Sequence, residues 1–93
     1  MWIHLGGKMT NFTQQDLLAI WNKGRVIPKY ELSTWRWDYL GNVMRWTDYG
    51  LMNSKYGWNV DHIIPQSKGG SDDVSNLRPL NCWTNSVRSD GRF

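Results

Sequence analysis

The stretch Trp58-Asn-Val-Asp-His-Ile-Ile-Pro65 decides the fold of this 93-residue chain. Its apolar and β-branched residues predict a strand, and Pro65 ends that strand because proline has no backbone N–H to donate. A polar loop with two adjacent glycines follows, and Asn76-Leu-Arg-Pro-Leu80 predicts a second short strand. Pro79 requires that this second strand lie on a sheet edge. The last third of the chain is therefore expected to contain two short strands joined by a polar loop.

Upstream of this stretch, the sequence predicts one helix and an aromatic β segment. Thr13-Gln-Gln-Asp16 has the form of a capping box, and apolar residues follow at helical spacing, so a helix is expected from about 14 to 23. Residues 25–34 are interpreted as an extended connector. Aromatic and charged residues alternate over 35–39, which is typical of a half-buried strand. Gly41-Asn42 indicates a turn, and residues 43–46 can return as the partner strand.

Downstream, a short helix is expected from Asn81 or Cys82 to about Ser89, and the Asn81 side chain can cap it. The predicted class is α+β, in one small domain with an N-terminal helix, a Trp-rich β segment and a C-terminal strand–loop–strand–helix unit. Residues 1–12 are expected to be a flexible N-terminal extension, and 13–93 the domain. Because a chain this short has a small core, the seven Trp, four Tyr and two Phe are expected mainly to fill it.

Composition narrows the partners and the compartment. The net charge of +3, from eleven Lys and Arg against eight Asp and Glu, suits a polyanion without identifying one. Cys82 is the single cysteine, so neither an intrachain disulfide nor a Cys-x-x-Cys zinc site can form. The first eight residues are too short and too broken by glycine for a signal peptide, and there is no transmembrane run. A cytoplasmic protein with no membrane partner is expected.

The order Asp61-His62, Asn76 and Asn85 contains the groups that phosphodiester hydrolysis needs. A neutral imidazole, such as that of His62, is a suitable base for activating water at neutral pH. The scissile group is already anionic, so charge that develops on its oxygens calls for a cation. A hard divalent ion prefers oxygen ligands, which Asp61 and Asn85 can supply. Arg88 lies three residues beyond Asn85 on the predicted helix and could reach a phosphate oxygen.

One geometric condition and several simpler interpretations stand beside this hypothesis. Adjacent residues of a regular strand point to opposite faces, so Asp61 and His62 can serve one site only if the strand ends or bulges there. His62 could instead be a structural residue, and Asp61 could pair with a nearby basic side chain. Asn76 could be a turn residue, Asn85 a polar helix residue and Arg88 a solvated side chain.

A longer pattern, Val60-Asp-His-Ile-Ile-Pro-Gln-Ser-Lys-Gly-Gly70 with Asn76-Leu77, Pro79-Leu80 and Asn85-x-x-Arg88-x-Asp90, resembles the HNH endonucleases, particularly small phage and bacterial members. Its first eight residues are also similar to the HNH domain of RNA-guided CRISPR effector nucleases. The resemblance is strong over about 57–90 and looser over 25–56. It implies an HNH domain over 13–93 whose core, at about 57–90, is a ββα-metal unit, in which a two-stranded hairpin and a helix grip one divalent metal.

By position, the resemblance implies that His62 is the general base and Asp61 a metal ligand. It implies that Asn76, the middle residue of the motif, braces the loop and hence the base, and that Asn85 is the other ligand in an HNN variant. Many members have Lys where this chain has Arg88, and a basic role survives that change. The cysteine pairs that hold structural zinc in numerous relatives are missing here.

The sequence therefore predicts a metal-dependent endonuclease that cleaves DNA, with one divalent ion, Mg²⁺ or Mn²⁺, and with Ni²⁺ or Zn²⁺ able to occupy the site in vitro. DNA is the expected partner, in a bacterium or a phage-infected host, and a homodimer or a phage or host protein partner is compatible. Lys68 is a candidate phosphate-binding residue, as are Arg36, Arg45 and Lys55. Two alternatives stay open, namely an inactive nucleic-acid-binding module on an HNH scaffold, and a nuclease that acts on RNA or only with a partner.

Overall fold

The computed structural model describes the backbone of residues 2–5 and 8–83 and the side chains of residues 12–83. Within these residues, one α-helix and seven strands form three small antiparallel sheets, ordered β1-β2, β3-β4-β5 and β6-β7. The elements are β1 (Trp2–Leu5), β2 (Lys8–Asn11), α1 (Gln14–Trp21), β3 (Arg25–Val26), β4 (Trp35–Trp37), β5 (Val43–Arg45), β6 (Trp58–His62) and β7 (Leu77–Asn81). The predicted α+β class is confirmed.

The predicted extension over residues 1–12 contains more structure than expected. β1 and β2 pair with each other, with Trp2 opposite Asn11. Phe12 is only 5% exposed and belongs to the same buried cluster as Leu17. These two residues flank the helix start as a hydrophobic staple does, with one just before the capping residue and the other one turn into the helix. Phe12 is therefore packed with the helix that follows it.

The start of α1 follows the predicted capping box. The Thr13 hydroxyl accepts a hydrogen bond from the Asp16 backbone N–H at 3.0 Å, and the Asp16 carboxylate accepts one from the Thr13 N–H at 3.1 Å. The helix has eight residues and ends at Trp21, two residues earlier than predicted. Just beyond it, the Lys23 ammonium donates to the backbone carbonyls of Val74 and Leu77. Within the described residues, no helix is long and apolar enough to cross a membrane.

An aromatic cluster forms the centre of the core. The Trp58 side chain has no exposed surface, and its ring centroid lies 5.1 Å from that of Trp21, 5.7 Å from Trp46 and 4.9 Å from Tyr49. The prediction that the tryptophans fill the core is correct for Trp21 and Trp58, whereas Trp83 is 49% exposed. Because Trp58 is the first residue of β6, this cluster anchors the strand that bears the predicted site.

The sheet β3-β4-β5 differs from its prediction in two ways. β3 pairs with β4 inside the segment that was expected to be only an extended connector. Arg36, a candidate for the phosphate-binding surface, is buried, and its guanidinium donates to the backbone carbonyls of Asn22 and Gly24 at 3.0 Å and of Leu32 at 3.1 Å. Three internal carbonyls and the side-chain oxygen of Asn22 therefore accept from the guanidinium, and the phosphate-binding role expected of Arg36 is wrong.

A fully buried carboxylate joins this sheet to the strand β7. Asp38 accepts hydrogen bonds from the backbone N–H groups of Leu40 at 3.0 Å, Asn42 at 2.8 Å and Asn81 at 3.0 Å. The first two bonds close the turn between β4 and β5, and the third reaches the last residue of β7. The Asn81 side chain adds a second link between the two sheets, because its amide donates to the Val43 carbonyl at 2.8 Å. The β6–β7 hairpin is thereby held against the aromatic part of the domain.

Candidate active site

The site predicted from the sequence lies at the loop end of the β6–β7 hairpin. Asp61 pairs with Arg78 across the hairpin, and His62, the last residue of β6, pairs with Leu77. β6 therefore ends two residues earlier than the predicted strand, and its ladder is regular through Asp61 and His62. Trp58 is buried on the core-facing side of β6, and side chains alternate along a strand, so His62 shares the Trp58 face and Asp61 the opposite one.

Asn76 takes over the pairing where the strand ladder stops. Its backbone carbonyl accepts from the Ile63 N–H at 2.8 Å, and its side-chain Oδ1 accepts from the Ile64 N–H at 2.8 Å. Its Nδ2 donates to the carbonyls of Ile64 at 3.1 Å and Ser71 at 2.8 Å. The side chain is buried, and it acts as a substitute strand partner for the residues that follow His62. One amide thus fixes both ends of the polar loop.

The loop is also held closed by a glycine that has no room for a side chain. A Cβ atom on Gly70 would lie 1.7 Å from the carbonyl oxygen of Ile64. The Gly70 N–H donates to the Pro65 carbonyl at 3.0 Å. The neighbouring Gly69 has a φ of +88° but open space around it, so its requirement is conformational and not steric.

The imidazole of His62 is packed and oriented by the loop. Its Nε2 lies 2.7 Å from Oδ1 of Asp72, and its side chain is only 10% exposed. The Gln66 side-chain amide donates to the same Asp72 oxygen at 3.2 Å. One nitrogen of the ring therefore faces a carboxylate that the loop presents.

Asp61 is engaged differently, by a cation from the opposite strand. The Arg78 Nε donates to Asp61 Oδ2 at 2.8 Å, and the two side chains are 27% and 32% exposed, respectively. The Arg78 guanidinium carbon also lies 3.7 Å from the ring centroid of Tyr39, which is a cation–π contact. Asp61 therefore pairs with a basic side chain in this structure, and both members of the pair are partly exposed.

The structure places some of the predicted site residues and leaves others outside its described part. Asp61 and His62 are the last two residues of β6, and Asn76 hydrogen-bonds to the residues that follow His62. Asn85 and Arg88 lie outside the described residues. The backbone of Cys82 and Trp83 is helical, and the rest of the predicted C-terminal helix also lies outside the described residues. Lys68 is exposed in the 3-10 turn Gln66–Lys68 of the loop, and Lys55 is also exposed. Arg45 is paired with Asp48 through two hydrogen bonds of 3.0 Å.

Two contacts of the site were missed from the sequence. Arg78 could have been found only from the register that sets it opposite Asp61. Asp72 lies ten residues after His62 in a loop without periodicity, next to another aspartate, so no spacing rule distinguished it. Both are partners across a closed loop or a strand pair, which local sequence patterns do not specify.

The donor set suits a hard cation. Within residues 12–83, no group of three His, Cys, Asp or Glu side chains is arranged to hold a metal ion. Asp61 offers a partly exposed carboxylate, and the amide oxygen of Asn85 lies beyond the described residues. One carboxylate and few other protein ligands fit Mg²⁺ or Mn²⁺, which bind oxygen donors, and Mg²⁺ usually retains several waters.

The comparison with known families bears on this hairpin. The HNH endonuclease family model matches residues 50–85, a range that includes all of β6, the loop and β7. This segment is similar to an HNH endonuclease domain. No curated protein and no solved structure matches the chain. HNH domains are in general nuclease domains that act on DNA and use a divalent metal, and the match extends this similarity to residues 50–85. Within the matched segment, Asp61, His62 and Asn76 occupy the strand end and the loop.

Proposed function

We propose that this HNH domain hydrolyses DNA phosphodiester bonds, with His62 as the general base. The observation that carries the proposal is the placement of Asp61 and His62, consecutive residues, at the end of β6 in a segment that matches the HNH family. A carboxylate and an imidazole on opposite faces of a rigid strand end can act on one phosphate that lies across that end, provided that the strand stops there. The core cluster around Trp58 supplies that rigidity.

The reaction divides into steps that the residues can perform. The His62 imidazole accepts a proton from a water molecule, whose oxygen then forms a bond to phosphorus. The bond from phosphorus to the 3′ oxygen breaks, and that oxygen takes up a proton. The products are a 3′-hydroxyl and a 5′-phosphate. Asn76 contributes by holding the backbone of Ile64, two residues after the base, through two hydrogen bonds.

The carboxylate proposed to hold the cation, Asp61, lies on the opposite face of β6 from His62. Asp61 and Asn85 would hold one divalent ion, with Mg²⁺ or Mn²⁺ as the physiological choice. When bound, the ion supplies positive charge that stabilises the phosphoryl oxygens and the leaving oxygen in the transition state. Arg78 neutralises Asp61 through their ion pair and would have to share or release that carboxylate.

Substrate binding rests on basic side chains around the loop. Lys68 is exposed beside the site, and Arg88 follows Asn85 by three residues, so both are proposed to contact phosphates. Phosphate contacts carry no base information, which implies weak sequence specificity. They also imply salt sensitivity, because each neutralised phosphate releases condensed counterions.

A plasmid-nicking assay tests the proposal. Supercoiled DNA should be nicked in the presence of Mg²⁺ or Mn²⁺ and should stay intact with EDTA. His62→Ala should lower the rate by roughly 10²- to 10⁴-fold, the range that a general base contributes. His4→Ala is the matched control, since His4 is the other histidine of the chain and should be dispensable. Full metal-dependent cleavage by His62→Ala would show that the base is assigned wrongly.

The substrate is tested with the same preparation. Duplex DNA, single-stranded DNA and RNA of matched length should be compared, and cleavage of the DNA substrates is expected. If only RNA were cleaved, the substrate would be RNA and the assignment of DNA would be wrong. Metal-independent DNA binding without cleavage of any of the three would indicate an inactive binding module.

A further inference from the structure

The orientation of the His62 ring depends on Asp72. His62 Nε2 lies 2.7 Å from Asp72 Oδ1, and nine-tenths of the histidine side chain is buried, so the ring cannot turn freely. A carboxylate only accepts hydrogen bonds, and a neutral imidazole carries its single hydrogen on one of its two nitrogens. The nitrogen that faces the carboxylate must then be the protonated one.

We propose that Asp72 is a positioning residue that holds the neutral His62 ring with its hydrogen on Nε2, which leaves Nδ1 as the proton acceptor. This inference rests on the proposed function, in which His62 is the base. A base needs an unprotonated nitrogen aimed at its water, and the hydrogen bond made by the other nitrogen decides which one that is. The same carboxylate lies beside the positive charge that the ring acquires when it takes the proton.

The loop is built to present Asp72 to His62. Asn76 Nδ2 donates to the carbonyl of Ser71, the residue before Asp72, at 2.8 Å. The Oδ1 of the same side chain accepts from the N–H of Ile64, two residues after His62, at 2.8 Å. A single buried amide therefore sets the distance between the two segments that carry the pair. Gln66 adds a hydrogen bond to the Asp72 oxygen at 3.2 Å, which orients the carboxylate.

The neighbouring aspartate supplies a matched control. Asp73 has the same charge, lies in the same loop and is also exposed. Its carboxylate accepts from the Ser71 hydroxyl at 3.3 Å, within the loop itself. If the negative charge of the loop as a whole acts on His62, substitution of Asp72 and of Asp73 should have equal effects. If the contact with the imidazole matters, only substitution of Asp72 should have an effect.

Steady-state kinetics on DNA provide the first test. Asp72→Asn should lower kcat by roughly 10- to 100-fold, as is typical when the partner of a functional histidine is removed. KM and the Mn²⁺ affinity measured by calorimetry should remain as in the unaltered protein. Asp73→Asn should match the unaltered protein, and Asp72→Glu should recover part of the loss. An Asp72→Asn protein whose kcat equals that of Asp73→Asn would overturn the inference.

A spectroscopic test does not depend on activity. In a His4→Gln background, His62 is the single histidine, and the ¹⁵N shifts and couplings of its neutral ring report which nitrogen bears the hydrogen. Without metal, the protein that retains Asp72 should carry the hydrogen on Nε2, and so should the Asp73→Asn variant. The Asp72→Asn variant should show a mixture of the two tautomers. Hydrogen on Nδ1 in the presence of Asp72 would overturn the inference. If no nucleic acid is cleaved, the proposed function fails on its own, and the spectrum still decides the role of Asp72.

Discussion

The two hairpins β4–β5 and β6–β7 are both short and antiparallel, yet they hold their charged side chains in opposite ways. On the first, Arg36 and Asp38 are buried, and the partners of each are mainly backbone groups. On the second, Asp61 and His62 sit at the strand end, and the partner of each is another side chain, Arg78 or Asp72. The two hairpins carry similar kinds of polar side chain, but these side chains differ in burial and in the type of hydrogen-bond partner.

This difference distinguishes a carboxylate that stabilises the fold from one that is available to a ligand. The backbone donors around Asp38 are fixed by the fold, so this carboxylate cannot change partners without breaking the turn that it closes. Asp61 is about one-third exposed and its partner is a side chain, so a cation or a phosphate can compete for either member of the pair. Burial and the kind of partner, more than residue type, therefore indicate function.

The largest expected effect tests this contrast directly. Asp38→Ala leaves three backbone N–H groups without their acceptor, and at about 1–3 kcal/mol for each buried group it should cost about 3 kcal/mol or more of unfolding free energy. Asp61→Ala removes a partly exposed ion pair and should cost less than about 1 kcal/mol. Urea denaturation measures both.

The same two substitutions should affect cleavage activity in the opposite order, with the larger loss in Asp61→Ala. Asp61→Ala should lose at least about 100-fold in DNA cleavage, since a bound cation contributes several kcal/mol to the transition state. Asp38→Ala should retain its activity per folded molecule at low temperature. A stable Asp38→Ala protein beside an unfolded Asp61→Ala protein would contradict the comparison.

The second effect sharpens the comparison within the loop of the second hairpin. Gly70→Ala forces a methyl group against the Ile64 carbonyl and should cost about 3 kcal/mol, the upper end of overpacking effects, and displace the loop. Gly69→Ala enters open space at a positive φ and should cost about 1 kcal/mol. Thermal unfolding ranks the two, and cleavage should be lost only in Gly70→Ala. Equal destabilisation by both changes would show that the contact at Gly70 does not hold the loop.

The smallest effect concerns pH and lies outside both hairpin turns. The Arg45 guanidinium beside Asp48 lowers the pKa of that carboxyl, the Ser54 and Thr47 hydroxyls lower it further, and burial opposes them. A lowered folded-state pKa gives stability that is fully present above the unfolded value, about 3.9, and is lost as the pH falls through the folded value.

Asp48→Asn should therefore be less stable than the unaltered protein at neutral pH, and should lose less stability between about pH 5 and the acid limit. Urea titrations at a series of pH values measure this difference. Parallel curves for the two proteins would show that Asp48 does not contribute to the acid dependence.

Much of the architecture was predictable from short-range patterns. The capping box at Thr13 and Asp16 predicted the start of α1, and the alternation around Trp35 and Trp37 predicted β4. The ends of elements were less predictable. α1 stops at Trp21, where Lys23 reaches across to the segment before β7, and β6 stops at His62, where Asn76 replaces the strand ladder. In both cases a distant residue decides where the local pattern ends.

The site was predictable as a motif and less so as a set of contacts. The order Asp61, His62, Asn76 identified the strand end and its loop, and the HNH match covers the same residues. The environment of Arg36 was predicted wrongly, because an arginine between two tryptophans fits a half-buried strand whichever face is covered. Only the packing of β4 against the end of α1 brings the carbonyls of Asn22 and Gly24 to its guanidinium.

The sequence by itself determined the helix α1, the strands β4 to β7, the α+β class and the motif that ends β6, because capping, alternation and turn chemistry act over a few residues. The tertiary structure alone decided the partners, namely Arg78 for Asp61, Asp72 for His62 and the Asn81 N–H for Asp38. These pairs are separated by 17, 10 and 43 residues, and strand register and loop closure set their distances. Such geometry depends on how the whole core packs, and no local pattern encodes it.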